Sequence, residues 1–93
     1  MDLRAQRAAE NEKLFRRINE RVEALSEGEI LTLVCECADV ACVERIPGVP
    51  LDEYEEVRSH EDRFFVIRGH ELLDVERVVD ERAGHLVVAK SLV

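Results

Sequence analysis

Three cysteines crowd the middle of the chain as Cys35, Cys37 and Cys42, in the spacing C-x-C-x4-C. This cluster limits the fold more than any other feature. A strand points residues i and i+2 to one face, so Cys35 and Cys37 are predicted to sit side by side. The segment from Glu36 to Cys42 is polar and small, and its loop at Ala38–Ala41 can return Cys42 to the same spot. Three thiolates meeting at one point suit Zn²⁺, which takes a tetrahedral ligand set with sulfur at about 2.3 Å. A disulfide fits less well. The bond favours Cα separations of about 4.4–6.8 Å, and an extended i,i+2 pair lies near that limit. Pairing either residue with Cys42 leaves a thiol over. Thiol redox chemistry and inert buried thiols remain as the other readings of the cluster.

Three thiolates leave one tetrahedral position open, and the chain has three histidines: His60, His70 and His85. His70 follows Gly69 in a turn directly after a predicted strand, where it can bend toward a neighbouring strand end. It is the favoured fourth ligand. His60 already has a role near a helix C-terminus, and His85 falls at the predicted tip of the last hairpin. A water or a local carboxylate (Glu36, Asp39 or Glu44) could also complete the set, although these carboxylates read as solvated. A site of three cysteines and one histidine is closed and therefore structural. An open fourth position would point instead to hydrolysis or metal transfer.

Composition explains why such a staple would help. The chain has 93 residues, no Trp, one Tyr and three Phe, so its core rests on Val, Leu and Ile. A core this thin stabilises a small domain only narrowly. Structural zinc contributes about 10–16 kcal/mol in finger peptides. With 46% apolar residues the chain is too hydrophobic for a disordered acidic tail. No run approaches the roughly 20 apolar residues of a membrane span, so no membrane association is expected. No signal-peptide pattern is present, and a reducing, cytoplasmic location is expected. The formal charge is −8, from 21 acidic against 13 basic residues. That balance argues against nucleic acid, whose binding rests on phosphate neutralisation. The charge is also uneven. Residues 1–21 hold six basic and four acidic side chains, whereas the remaining 72 hold seven basic and seventeen acidic.

The pattern of elements predicts one α+β domain in the order α-β-β-α-β-β-β, with a small, mostly antiparallel sheet. Residues 1–27 read as an amphipathic helix ended by Gly28, and residues 28–93 as a metal-binding body. On the helix, Leu14, Phe15, Ile18, Val22 and Leu25 share an arc of about 100°. Leu14, Phe15, Ile18 and Val22 are the candidate surface for a protein partner or a homodimer. Residues 30–35 read as a continuous apolar, buried strand. Val43–Ile46 reads as a short second strand stopped by Pro47-Gly48. Pro50 opens a short helix that runs to about His60 and carries Leu51, Tyr54 and Val57 on one face. Phe64–Ile67 forms a third strand, and Val75–Asp80 with Leu86–Lys90 a terminal hairpin. Other chemistries find no support. The four glycines are isolated, so there is no phosphate loop. Ser26, Ser59 and Ser91 lack a nucleophile-elbow context.

The chain resembles a group of small acidic proteins, mostly actinobacterial, that carry no assigned function. The likeness rests on the helix Asn11–Arg21, on Cys35-Glu36-Cys37 with Cys42, on Glu53–Arg58, and on Gly69-His70-Glu71 before a Val-rich C-terminus. It covers most of the chain from position 11. The group carries a proline ahead of the Gly-His pair, where this chain has Arg68. The resemblance implies grouping the three cysteines with one histidine. It implies no enzyme activity and no named partner. Together these readings predict a non-enzymatic, zinc-binding interaction module. A thiol-based redox or metal-responsive switch is the alternative, and a small metal-dependent enzyme the weaker one.

Overall fold

A computed structural model describes residues 3–25, 28–37, 39, 41–72 and 76–90, including the side chains of 10, 12–25, 28–37, 39, 41–72 and 76–89. The fold is α+β, with the order α1(Leu3–Leu25) β1(Ile30–Val34) β2(Arg45–Pro50) α2(Leu51–Arg58) β3(Arg63–Val66) β4(Glu76–Glu81) β5(Leu86–Lys90). The predicted element order is therefore observed. The sheet is divided, however. Strands β1 and β2 form one antiparallel pair, and β3, β5 and β4 form a second antiparallel sheet in that order. The first residues beyond β1 join the two. The Glu36 N–H donates to the Phe65 carbonyl at 2.7 Å.

Strand β5 lies between β3 and β4, and Leu86, Val87, Val88 and Ala89 are all buried. Phe64, Phe65 and Val66 of β3 are buried as well. A strand covered on both faces reads as an unbroken apolar run, and these two segments show that pattern. Phe65 stacks on Tyr54 of α2 with ring centroids 5.9 Å apart. Its neighbour Phe64 lies under Arg16 of α1, whose guanidinium carbon is 5.8 Å from the ring centroid. Alternation along β3 thus sends one phenylalanine toward each helix.

Three expectations change. First, β1 is not buried throughout. Leu31 and Leu33 are buried, whereas Ile30 and Thr32 are exposed, as in a strand with one solvated face. Second, β2 begins later and runs through Pro47-Gly48 instead of stopping there. Leu31 pairs with Val49 and Leu33 with Ile46, so β2 carries one extra residue at this point. Gly48 takes φ +72 and absorbs the bulge. Pro47 is exposed there, and a bulge tolerates its missing N–H. Val43, assigned to this strand from sequence, lies outside β2 and is 83% exposed. Third, α1 is rotated relative to its apolar arc. Glu12, Phe15 and Asn19 form its buried face, Val22 is half-buried, and Leu14 and Ile18 are about 40% exposed. Polar anchoring by Asn19 decides this rotation. Its Nδ2 donates to the Val34 carbonyl at 2.8 Å, and its Oδ1 accepts the Val34 N–H at 2.7 Å.

Helix α2 follows its sequence signals closely. Pro50 is its N-cap, Asp52 and Glu53 occupy the first turn, and Arg58 the last. Tyr54 and Val57 are its buried residues. No helix among the described residues is long and apolar enough to cross a membrane.

Candidate metal centre

Cys35 and Cys37 lie just past the end of β1. The Cys35 N–H still donates to the Glu44 carbonyl at 3.0 Å, so the extended path continues past the assigned strand. Both cysteines are buried, as expected of i,i+2 residues on one inner face. The connecting loop is closed by Asp39. Its carbonyl accepts the Cys42 N–H at 3.0 Å, and its Oδ1 accepts the Ala41 N–H at 2.9 Å. This local turn folds Cys42 back toward the other two thiols.

His70 arrives from the opposite sheet. After β3 the chain turns, with the His70 N–H donating to the Ile67 carbonyl at 2.9 Å and Gly69 at φ +97. Left-handed φ values favour glycine, so the residue before His70 makes the turn possible. The Ile67 N–H donates to Cys35 Sγ at 3.2 Å and ties this turn to the cysteine cluster.

The result is a four-residue group. The ligand atoms of Cys35, Cys37, Cys42 and His70 all lie within 4.8 Å of one another, and the group could hold a metal ion. His70 Nδ1 is 3.5 Å from Cys35 Sγ and 3.6 Å from Cys42 Sγ. The edge between sulfur and nitrogen ligands of a zinc tetrahedron, with bonds near 2.3 and 2.05 Å, is about 3.6 Å. The other imidazole nitrogen, Nε2, lies 3.5 Å from Glu44 Oε2. A carboxylate on the far nitrogen holds the ring so that Nδ1 faces the sulfurs. The cluster sits at a rim: Cys42 is half-buried, and the His70 side chain is 30% exposed.

The thiols differ in their readiness to ionise. A hydrogen bond from Cys37, aided by the Ile67 N–H, lowers the Cys35 pKa against the opposing effect of burial. Cys37, the donor in that pair and itself buried, is pushed well above the usual thiol range. Burial also raises Cys42. The protein's own groups thus favour ionisation of Cys35 over that of Cys37 and Cys42, and a cation beside the cluster would favour the thiolate form of all three.

The other candidates lie elsewhere. His60 Nε2 faces Glu56 at 3.7 Å within α2 and its C-terminal turn. His85, placed from sequence at an exposed tip, is in fact buried. Its Nε2 is 3.2 Å from Glu53 Oε2, and its ring lies against Phe65 with centroids 5.7 Å apart. Asp39 shapes the loop, and Glu44 orients His70.

Glu36 is the largest departure. Its sequence context places it in solvent, yet its exposure is 0%. Its side chain leaves the strand on the face away from the thiols. Oε2 accepts Asn19 Nδ2 at 2.7 Å, while Oε1 accepts Arg58 Nη2 at 2.6 Å and the Phe65 N–H at 2.9 Å. Arg58 is also stacked, with its guanidinium carbon 5.4 Å from the Tyr54 centroid and 5.3 Å from that of Phe65. Sequence reasoning missed this Asn19–Glu36–Arg58 network. The available signal was alternation: a residue between two inward cysteines must face the other way, toward whatever covers that side. Comparison with protein-family models, curated proteins and solved structures finds no match for this chain.

Proposed function

We propose that this chain binds one Zn²⁺ through Cys35, Cys37, Cys42 and His70 and acts as a non-enzymatic protein-interaction module stapled by that metal. The observation that carries the reading is the convergence of four ligand atoms within 4.8 Å. Four protein ligands close a tetrahedron, which favours a staple over a catalyst with an open position. Zinc would replace the thiol protons and join the end of β1, the following loop and the turn after β3. Thiolate ligands stay available in a reducing compartment such as the cytoplasm.

The interaction surface is the outer side of α1. Leu14, Ile18 and Leu25 are exposed there, Val22 adjoins them, and Phe15 anchors the helix from beneath. This surface would take a protein partner or a second copy of the chain. Replacing Leu14 and Ile18 together by Glu should abolish such association, read by light scattering or co-purification.

Elemental analysis of purified protein tests the metal. About one zinc per chain is expected, with His70→Ala lowering zinc affinity while leaving three sulfur ligands. Absence of metal together with three freely titrating thiols would overturn the reading. Unchanged zinc affinity in His70→Ala would remove the histidine from the set. The half-buried position of Cys42 favours a second reading, a redox switch. In that reading hydrogen peroxide oxidises two of the thiolates to a disulfide: its O–O bond breaks as it takes their two electrons, two protons from solvent complete two waters, and the metal loses two ligands and is released. Reversible zinc loss at mild peroxide would support the switch.

A further inference from the structure

The tripeptide Cys35-Glu36-Cys37 is shared by two systems. Its cysteines face the metal group, and its glutamate faces the network that holds α1. We infer that metal occupancy controls the docking of α1, with Glu36 as the connecting residue: metal pins Cys35 and Cys37, this keeps Glu36 in its buried seat, and Glu36 with Val34 holds Asn19. The inference rests on the metal-binding reading above and extends it to a conformational role.

Several observations point the same way. The attachment of α1 runs through this segment. Asn19 binds Val34 and Glu36. Arg16 adds a hydrogen bond to the Glu61 carbonyl and its position over Phe64. Docking also carries a penalty. Glu12, on the same inner face, is fully buried, and both its carboxylate oxygens lack a hydrogen-bond partner. Burying a carboxyl group without a partner opposes docking. Glu36 is likewise removed from water. Lifting α1 would return the Glu12 carboxylate to water, so the docked state leans on the contacts of Asn19 to Val34 and Glu36, the segment that carries Cys35 and Cys37. The β3–β5–β4 sheet depends on this segment less than α1 does, since its own strands supply most of its pairing. Its buried strands are held to each other by their own ladders, and Cys35 and Cys37 contribute only part of the core they share with residues 64–66 and 86–88. Metal loss should therefore loosen α1 and residues 34–42 before the sheet opens, as a local unfolding unit.

Amide hydrogen exchange on the full chain tests this, comparing Zn²⁺-saturated protein with protein stripped by a chelator, each with its zinc content measured. On stripping, α1 amides from Phe15 to Val22 should lose about 5- to 150-fold in protection, the range of typical coupling between sites. Amides of β5 should keep theirs. Coupling is reciprocal, so Asn19→Ala, which weakens docking, should lower zinc affinity by up to the same factor, measured by chelator competition. Equal loss of protection in α1 and β5, no loss in α1, or unchanged zinc affinity in Asn19→Ala would each overturn the inference while leaving the metal site intact. A protein that takes up no zinc fails at the earlier step.

Discussion

Replacing Arg58 by Met isolates the energetics of the buried network. The substitution keeps an unbranched stem near the Tyr54 and Phe65 rings and removes the charge. In the native protein Arg58 Nη2 lies 2.6 Å from Glu36 Oε1, with side-chain exposures of 10% and 0%. Removing one partner of a buried pair leaves the other charge uncompensated and costs about 3–5 kcal/mol. A chain of this length has a total stability of about 5–14 kcal/mol. The loss is therefore a large fraction of what holds the fold together. Urea unfolding of the zinc-saturated protein is the assay. With a slope near 1.5 kcal/mol per molar, the midpoint should fall by about 2–3 M. The double variant Arg58→Met/Glu36→Gln should recover a good part of that loss, because no unpaired charge remains. A midpoint shift below about 0.5 M would assign the pair the value of a surface salt bridge and refute the reasoning. A double variant no more stable than Arg58→Met would show that stacking on the rings, not charge pairing, dominates.

Three further outcomes are expected. Glu44→Gln should weaken zinc binding by about 10- to 100-fold in a chelator competition, the usual effect of losing a carboxylate behind a ligating histidine; unchanged affinity would detach Glu44 from the site. Burial lowers the His85 pKa from 6.5 despite the neighbouring Glu53, so the unfolded chain takes up a proton there before the folded one does. Stability from this group is present above pH 6.5 and is lost as pH falls below it, and His85→Phe should flatten that limb of a zinc-saturated melting curve; an unaltered pH slope would contradict the assignment. Gly48→Ala should cost about 1–2 kcal/mol through its φ of +72 alone, since no atom lies within 4 Å of the added Cβ; a neutral result in urea unfolding would mean that the bulge relaxes.

The order of elements and three corners of the site were legible in the chain because both follow from local rules. Periodicity marks helices and strands, and alternation puts Cys35 and Cys37 on one face whatever lies around them. The signals around Pro50 and Gly69 are equally local, since one residue's φ decides them. Other features depend on partners distant in sequence. The bulge at Gly48 exists because β1 and β2 must keep Leu31 opposite Val49 and Leu33 opposite Ile46. The facing of α1 follows from Asn19 meeting Val34, so a polar residue outranked the apolar arc of Leu14, Ile18 and Leu25. His85 is buried because Glu53 and Phe65 meet it there.

A small α+β chain, acidic outside its leading helix and with three thiols aimed at one point, follows from the residues and their local rules. The turn after β3 already marked His70 as the favoured fourth member, but its meeting with the Cys35 thiol, 35 residues away, is made by the tertiary link between β1 and β3. The tertiary structure alone decided that Glu36, a charged residue in an acidic chain, is buried. The physical reason is the same in both cases. Local geometry sets the direction in which a side chain points, and the element packed on that side determines whether it meets water, a metal ligand or a buried arginine.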